Sequence, residues 1–578
     1  MGPAKRRKVA IFHRKMSGFE VFSDCGSMKC GAIRGITGVK ISFDTYVISY
    51  RKECNCGKTI QLQEKKMFST VRSAAVIGIE ACPVQVEADI CDGLPQFCMV
   101  GDLAPEVREA ADRVRTALRN TRIAFPPRRV TVNLAPAHIR KEGTRFDLPV
   151  AAALLAALRI IPEEGLQGIL MVGELGLDGS IRPVSGVLQT VMLAKDLGCR
   201  ACLVPGENAR EGAVIGGIQV IGMCSLQELL ECLLSPDTWE QRAEPFENWE
   251  ERREAYQEDF REVNGQLGVR RAAEIAAAGM HNFLMVGSPG AGKTMIARRM
   301  PSILPRLTME ESLEISMVYS ACGLLTDGEG LMKTRPFRSP HHTISPNALA
   351  GGGRRIRPGE ISLATRGILF LDELPEFSRG ALEVLRQPME EGKVVISRTS
   401  GTCVFPARFQ LIAAMNPCRC GYYPDRERCQ CLPGEISQYL HRISRPLLDR
   451  IDICAETARI DYKELTGRWE NESSAAIRSR VEAAQRIQKE RYGQKNCRWN
   501  FNSQLPSSAL PEFCALGDEE QKTMEEAFEK LHLSARAYHR IIKVARTIAD
   551  LEGEERIRTT HLLEAVGYRA MDQKFWGG

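Results

Sequence analysis

One stretch of this 578-residue sequence holds the residue types that grip a triphosphate: Gly287, Ser288, Pro289, Gly290, Ala291, Gly292, Lys293 and Thr294. It follows the apolar run NFLMV and opens a helical pattern, the strand–loop–helix setting that G-x4-G-K-[ST] requires. Glycines let backbone N–H groups wrap phosphate oxygens, and the helix N-terminus adds the positive end of its dipole. Lys293 is expected to reach the β- and γ-phosphates and Thr294 to ligand Mg²⁺, which makes ATP and Mg²⁺ the expected cofactors. A second apolar run, GILFLDEL, ends in Asp372 and Glu373. Acids at the C-terminal end of a buried strand stand beside the phosphates, Asp372 to hold Mg²⁺ and Glu373 to act as general base on water. A third run, FQLIAAMNP, ends in Asn416, placed to orient that water.

Cysteines follow at once. Cys418, Cys420, Cys429 and Cys431 give C-x-C-x8-C-x-C, compact enough for one tetrahedral Zn²⁺ site. The alternative is a cysteine-rich surface loop without metal. Cys25, Cys30, Cys54 and Cys56 form a second, irregular set, while Cys199, Cys202, Cys224 and Cys232 stand among apolar residues as small buried hydrophobes.

Between Lys293 and Asp372 the chain is longer than a minimal nucleotide-binding unit needs. The extra segment, 335–366, carries six Arg and two His against one acid, Glu360. An Arg- and Gly-rich loop of this kind suits an anionic polymer held by its phosphates, with Arg338, Arg354, Arg355 and Arg357 as candidate contacts. A hairpin pattern, KVVISRTSGTCVFPARF, places Arg398 near its tip. Any one of these arginines has an ordinary alternative, pairing with a nearby acid.

The elements that must position these groups are legible as an α/β chain of several domains. Residues 1–66 show no sustained period, and Met67 opens a strand pattern preceded by Gln63-Glu64-Lys65-Lys66, one coding of which is a ribosome-binding sequence; translation is expected to start at Met67. Residues 67–234 alternate strands (75–81, 84–90, 129–134, 168–173, 201–204) with helices (105–121, 146–158, 187–198). A charged linker spans 235–258, the ATPase core 259–457, and a mostly helical segment 461–573. The longest apolar run, Leu148 to Ile161, is too short for a membrane span and reads as a buried helix. No secretory signal is visible and the formal charge is only +6, so the cytoplasm is the expected compartment and charge alone argues for no partner.

The order of phosphate loop, Asp-Glu and strand-end Asn resembles the AAA+ ATPases, and the two insertions resemble the Mg-chelatase and MCM helicase clade. By that resemblance, ISRPLLDRIDI carries an arginine finger for a neighbouring subunit, with Arg450 the first candidate and Arg442 and Arg445 its rivals. LSARAYHRII resembles the second sensor, with Arg536 expected near the γ-phosphate. A finger supplied in trans implies a ring, usually a hexamer. Residues 67–234, with VTVNLAPAHIRKEGTRFDLPVAAALL and GELGLDGSIRPVSGVLQT, resemble the protease domain of Lon. Lon chemistry needs a serine activated by a lysine. The nucleophile position falls at or beside Arg145 and the lysine position near Leu188, so neither group is present and a non-proteolytic domain is expected. The GTRFDLPVA form is also similar to the Lon-like domain of the RadA branch-migration family, a DNA-contacting scaffold; Arg128, Arg129, Arg140, Lys141 and Arg145 are candidates for that use. From Met67 to about residue 573 the arrangement closely resembles the ComM/YifB family. That resemblance implies a homohexameric DNA motor acting on single-stranded and branched DNA, which promotes branch migration in recombination and natural transformation. A magnesium-chelatase subunit or a protein remodeller is the alternative.

Overall fold

The computed structural model describes residues 67–576 apart from 246–255, 326–329, 354–355, 399–400, 426, 459–470 and 496, together with an antiparallel strand pair, Ile36–Ile41 and Ile48–Lys52. Cys25, Cys30, Cys54 and Cys56 lie outside the described residues, as do Arg354 and Arg355.

The N-terminal domain is a seven-stranded mixed sheet with helices packed on it. Its centre is the hairpin Phe68–Ile77 and Glu80–Cys91, so the single strand expected at 75–81 is in fact the hairpin turn, with Gly78 at φ +67°. Alternation explains the long arms: Val71, Val84, Val86, Ala88 and Ile90 point into the core while their neighbours face outward. Arg129–Ala135 pairs antiparallel with the second arm, and Ile169–Met171 runs parallel to the first. The apolar run beginning at Leu148 becomes the helix Asp147–Ala157, every residue of which is buried. Among the described residues no helix is long and apolar enough to cross a membrane. Trp239, from the charged linker, also packs into this core and donates its indole N–H to the Cys232 carbonyl (2.8 Å). Cys199, Cys202 and Cys232 are buried as expected, whereas Cys224 is exposed.

The core domain is built on five parallel strands: Phe283–Gly287, Phe337–Arg338, Ile368–Leu371, Gln410–Met415 and Ile453–Thr457. Numbered along the chain, they lie in the order second, third, fourth, first, fifth. Helices cover both faces, which is why the longer strands are unbroken apolar runs. Since all pairings are parallel, the sheet has one end where strands finish and another where they begin.

The C-terminal segment is helical, as expected: Ser474–Gly493, Asp518–Lys530, Ala535–Leu551 and Thr559–Trp576. Ser473 and Ser534 cap two of these by accepting backbone N–H groups, the usual solution for orphan donors in a first turn. Ile541, Ile542, Ala545 and Ile548 form one buried face on the third helix, and join the core through Ala276 and Ile275.

The two large domains are fastened by polar contacts through the helix Met309–Cys322, which a Thr308–Glu311 capping box starts and Gly323 ends. Gln189 donates to the Met317 carbonyl (2.6 Å), Gly186 N–H to the Ser320 carbonyl (2.8 Å), and the Ser320 hydroxyl meets Glu211.

Candidate functional site: a phosphate loop and its strand-end partners

Strands Phe283–Gly287, Ile368–Leu371 and Gln410–Met415 deliver their polar followers to the same end of the sheet. Between the first strand and the helix Lys293–Ile303, Gly290 (φ +77°) and Gly292 (φ +82°) take left-handed conformations that other residues rarely adopt. Lys293 is buried, and its ammonium donates to the carbonyls of Gly287 (2.7 Å) and Ser288 (2.9 Å) and to Oδ1 of Asn416 (3.1 Å). Burial pushes its pKa below the usual lysine value, and Asp372 and Glu373 partly restore it. Thr294 Oγ1 donates to Asp372 Oδ2 (2.7 Å), which puts two oxygen ligands of the hard-cation type side by side. Glu373 stands next, at φ +53° and more than half exposed, with its carboxylate 3.5 Å from the His342 ring. A cleft of about 840 Å³ opens over the loop, walled by Gly287–Ala291, by Tyr422, Tyr423 and Asp425, and by Phe575. The donor set fits a nucleotide triphosphate with Mg²⁺: a buried cation held only by neutral oxygens, glycines without Cβ, and paired Thr and Asp oxygens.

Asp372, Glu373, Asn416, Lys293 and Thr294 therefore come together as the sequence implied. His342 and the aromatic wall were missed. His342 lay within the insertion read only for its arginines, and a wall drawn from Tyr422 and Phe575 has no local spacing to betray it.

The arginines divide by the two ends of the sheet. Arg450 precedes the strand Ile453–Thr457, so it lies where strands begin, opposite the phosphate loop. Five residues at about 3.3 Å each separate those ends by roughly 16 Å. Arg450 is 7% exposed, pairs with Glu390 and donates to the Pro446 carbonyl. Arg536 stands in the same cleft, of about 310 Å³, 3.6 Å from Asp449. The expectation of Arg536 at the γ-phosphate is thereby corrected: it does not face its own phosphate loop, because the helix that carries it packs at the opposite end. Arg540 of that helix, bound to Asp452, fixes the placement. Of the rivals, Arg442 bonds Glu376 (2.9 Å), just beyond Glu373, and Arg445 is exposed.

The basic insertion is less free than its composition suggests. Arg338 makes two bonds to Glu360 (2.6 and 2.8 Å), which corrects its assignment to a phosphate contact. Arg335 is buried against Glu311 and three carbonyls, and Arg366 pairs with Glu314 (2.7 Å). Arg357 and Arg398 are exposed, on the short pair Gly351–Gly352/Arg357–Pro358 and on the hairpin Lys393–Arg398/Gly401–Pro406. A Cβ on Gly352 would lie 3.6 Å from the Arg398 guanidinium, so the two hairpins adjoin.

In the N-terminal domain, Arg145 occupies the nucleophile region and is fully enclosed. Its guanidinium bonds the Ser185 and Ala74 carbonyls and the Thr190 hydroxyl. Burial lowers its pKa to about 10, against the opposing pull of Glu211. Leu188 is buried too. Neither Arg145 nor Lys141, also buried, is available to DNA, a second correction; Arg128, Arg129 and Arg140 remain exposed.

Comparisons with known proteins agree with this geometry. Family models of the magnesium chelatase subunit ChlI match residues 259–465 and 86–208, and a model of its C-terminal part matches 471–569. Competence protein ComM of Haemophilus influenzae is 42% identical over 509 residues, 87% of this chain and 98% of that protein. The chain belongs to the ComM/YifB family of magnesium-chelatase-like AAA+ ATPases. The YifB protein of Escherichia coli is likewise 42% identical, over 88% of this chain and 98% of its own length. Lon protease 2 of Bacillus subtilis is 29% identical over 131 residues, 22% of this chain, which supports the Lon-like fold. For this ATPase, the family and the site together imply ATP and Mg²⁺.

Proposed function

We propose that this ATPase is a homohexameric, cytoplasmic DNA motor that promotes branch migration of recombination intermediates in homologous recombination and natural transformation. The observation that carries the reading is the split between the two ends of the core sheet. One end holds Lys293, Thr294, Asp372, Glu373 and Asn416; the other holds Arg450 and Arg536, too far away to serve the same nucleotide. Two half-sites on opposite ends of one domain complete each other only between copies, and closure of such head-to-tail contacts makes a ring.

Within a completed site Lys293 meets the terminal phosphates, exchanging its three neutral acceptors for anionic ones. Thr294 and Asp372 would hold Mg²⁺, which would supply positive charge against that developing on the phosphate oxygens. Glu373 accepts the proton of attacking water, and Asn416 holds that water and the Lys293 ammonium in register. Arg450 and Arg536 of the neighbouring copy supply positive charge to the γ-phosphoryl group as it passes from ADP to water. The four thiols at Cys418, Cys420, Cys429 and Cys431 are the candidate Zn²⁺ site.

DNA is the proposed cargo because the adjoining hairpins keep Arg357 and Arg398 exposed while Arg338 and Arg366 are neutralised by acids. The relative named a competence protein, and the branch-migration activity implied by the family resemblance, favour the same partner. The deciding experiment follows a labelled four-way junction with ATP, using wild type and Lys293→Ala. Movement of the junction by wild type alone is expected. Hydrolysis that is indifferent to single-stranded and branched DNA, with no junction movement, would sink the DNA reading and leave chelatase-like or protein remodelling.

A further inference from the structure

The four cysteines are one part of the molecule whose chemistry nucleotide hydrolysis does not use. Their sulfur atoms all lie within 4.8 Å of one another, with Cys418–Cys420 at 3.3 Å, Cys420–Cys429 at 3.6 Å and Cys418–Cys429 at 3.8 Å. Four thiolates about 2.3 Å from a tetrahedral zinc stand about 3.8 Å apart, whereas a disulfide needs sulfurs at about 2.05 Å. The spacing therefore suits a metal, and all four are free thiols. Cys418 is buried and the others are partly so. The Tyr423 N–H donates to Cys418 Sγ (3.4 Å), the kind of outer contact that steadies a metal-bound thiolate.

What this cluster folds matters more than the cluster. The peptide between Cys420 and Cys429 is the wall of the nucleotide cleft: Gly421, Tyr422, Tyr423, Pro424, Asp425 and Arg428 all line it. Gly421, at φ +84°, presses on the phosphate loop itself; a Cβ there would stand 2.7 Å from Pro289 Cγ and closer still to its Cδ. Tyr423 packs edge-on against Phe575 (6.4 Å between centroids), the aromatic on the cleft's other lip. Two residues before Cys418 stands Asn416, which accepts a hydrogen bond from Lys293. The cluster thus closes a short loop tied at one end to the strand that bears Asn416 and pinned at its middle to the phosphate loop.

We propose that the four cysteines bind one zinc ion, and that this zinc is a brace on the nucleotide cleft, so that affinity for ATP depends on metal occupancy. The inference rests on the ATPase reading of the cleft. Without a cross-link, the polar restraints among the described residues of this wall are local ones: Asp425 accepts the N–H groups of Glu427 (3.0 Å) and Arg428 (3.4 Å) and pairs with the Arg428 guanidinium. Ordering that wall would then fall on the nucleotide and weaken its binding. With zinc in place the wall is ordered beforehand, and the tyrosines present an apolar, aromatic surface to a purine base.

The test begins with the metal content of full-length wild type, expected at about one zinc per chain by the four-thiolate stoichiometry. Cobalt substituted into the protein should show the intense thiolate-to-metal absorption of a tetrahedral site. The double variant Cys420→Ser, Cys431→Ser should lose the metal and bind a fluorescent ATP analogue at least about tenfold more weakly, a loss of about 1.4 kcal/mol. Lys293→Ala should keep its zinc. If the double variant fails to fold, zinc is instead stripped from wild type with a thiol-reactive mercurial and chelator, then returned after thiol is restored. Nucleotide affinity should fall and recover in step. Wild type without metal overturns the proposal, and so does metal loss that leaves nucleotide affinity unchanged. Wild type that holds zinc yet binds no ATP overturns the ATPase reading instead, which keeps the two failures apart.

Discussion

Two buried cations, Lys293 and Arg145, one in each α/β domain, are both hydrogen-bonded to neutral oxygens rather than to carboxylates. Burial lowers the pKa of each. They differ in what lies beyond them. Lys293 bonds the carbonyls of Gly287 and Ser288, which line a cleft of about 840 Å³, so an incoming anion can take over its bonds. Arg145 is fully enclosed, with its guanidinium planted against Ser185, Ala74 and Thr190 at the place where a Lon-type nucleophile would stand. A buried cation with a cleft is an anion receptor, whereas one without a cleft is a plug that holds its surroundings together. One buried cation therefore stands beside open space, and the other is part of the packing.

The hardest test of that contrast is Lys293→Ala. ATP turnover should fall by about 10³–10⁴-fold, the loss of a main electrostatic contributor, while the denaturant midpoint moves little. A steady-state ATPase assay beside a urea curve reads both. Next in size are Arg450→Ala and Arg536→Ala, each expected to lower turnover by about 10³-fold while sparing ATP binding, in keeping with a finger acting between subunits. Mixing either variant with Lys293→Ala should restore part of the activity, because some interfaces then pair an intact loop with intact arginines. Absence of any rescue would argue that all these residues serve one chain's own site.

Arg145→Ala addresses the plug. Removing it takes the guanidinium from two carbonyls and leaves a cavity, so a stability loss of about 3 kcal/mol is expected, with ATP turnover per folded molecule unchanged. Turnover falling in proportion to Lys293→Ala would break the contrast outright. The effect smallest at neutral pH concerns a third buried group, His281, which bonds Thr547 (2.8 Å) and so ties the core to the C-terminal helices. Burial, with Lys543 and Arg540 nearby, lowers its pKa to about 3, although Asp452 lies 3.5 Å from its other nitrogen. The depressed value means the unfolded chain binds this proton first. Stability from His281 is therefore complete above its unfolded pKa of about 6.5 and is lost as pH falls toward 3, at up to about 1.4 kcal/mol per unit. His281→Gln should flatten that stretch of a pH–stability curve.

Contiguous chemistry was legible in the sequence and dispersed chemistry was not. Asp372 and Asn416 directly follow buried apolar strands, and Lys293 and Thr294 open the helix one short glycine loop after another such strand, so strand pattern and chemistry predict their convergence together. The missing Ser–Lys pair was equally readable, since Arg145 and Leu188 stand in local motifs. Arg338 was misread because its partner Glu360 is 22 residues away, and a count of charges says nothing of who pairs with whom. Arg536 was placed at the wrong end of the sheet because a helix's own pattern does not say where it docks. That decision belongs to Ile541, Ile548 and the core they bury against.

The placement of the last two helices has a mechanical meaning. Ala535–Leu551 and Thr559–Trp576 pack along each other and form one stiff beam. The turn between them leaves the other end of the pair open, and there Phe575 closes the chain's own cleft, Lys574 is tied to Glu456, and Arg536 stands exposed beside Asp449. A stiff pair that carries both groups cannot shift one without moving the other. In a ring, each unit's grip on its nucleotide would set the angle at which it touches the next, and firing would pass around the circle in phase, like teeth in a gear train.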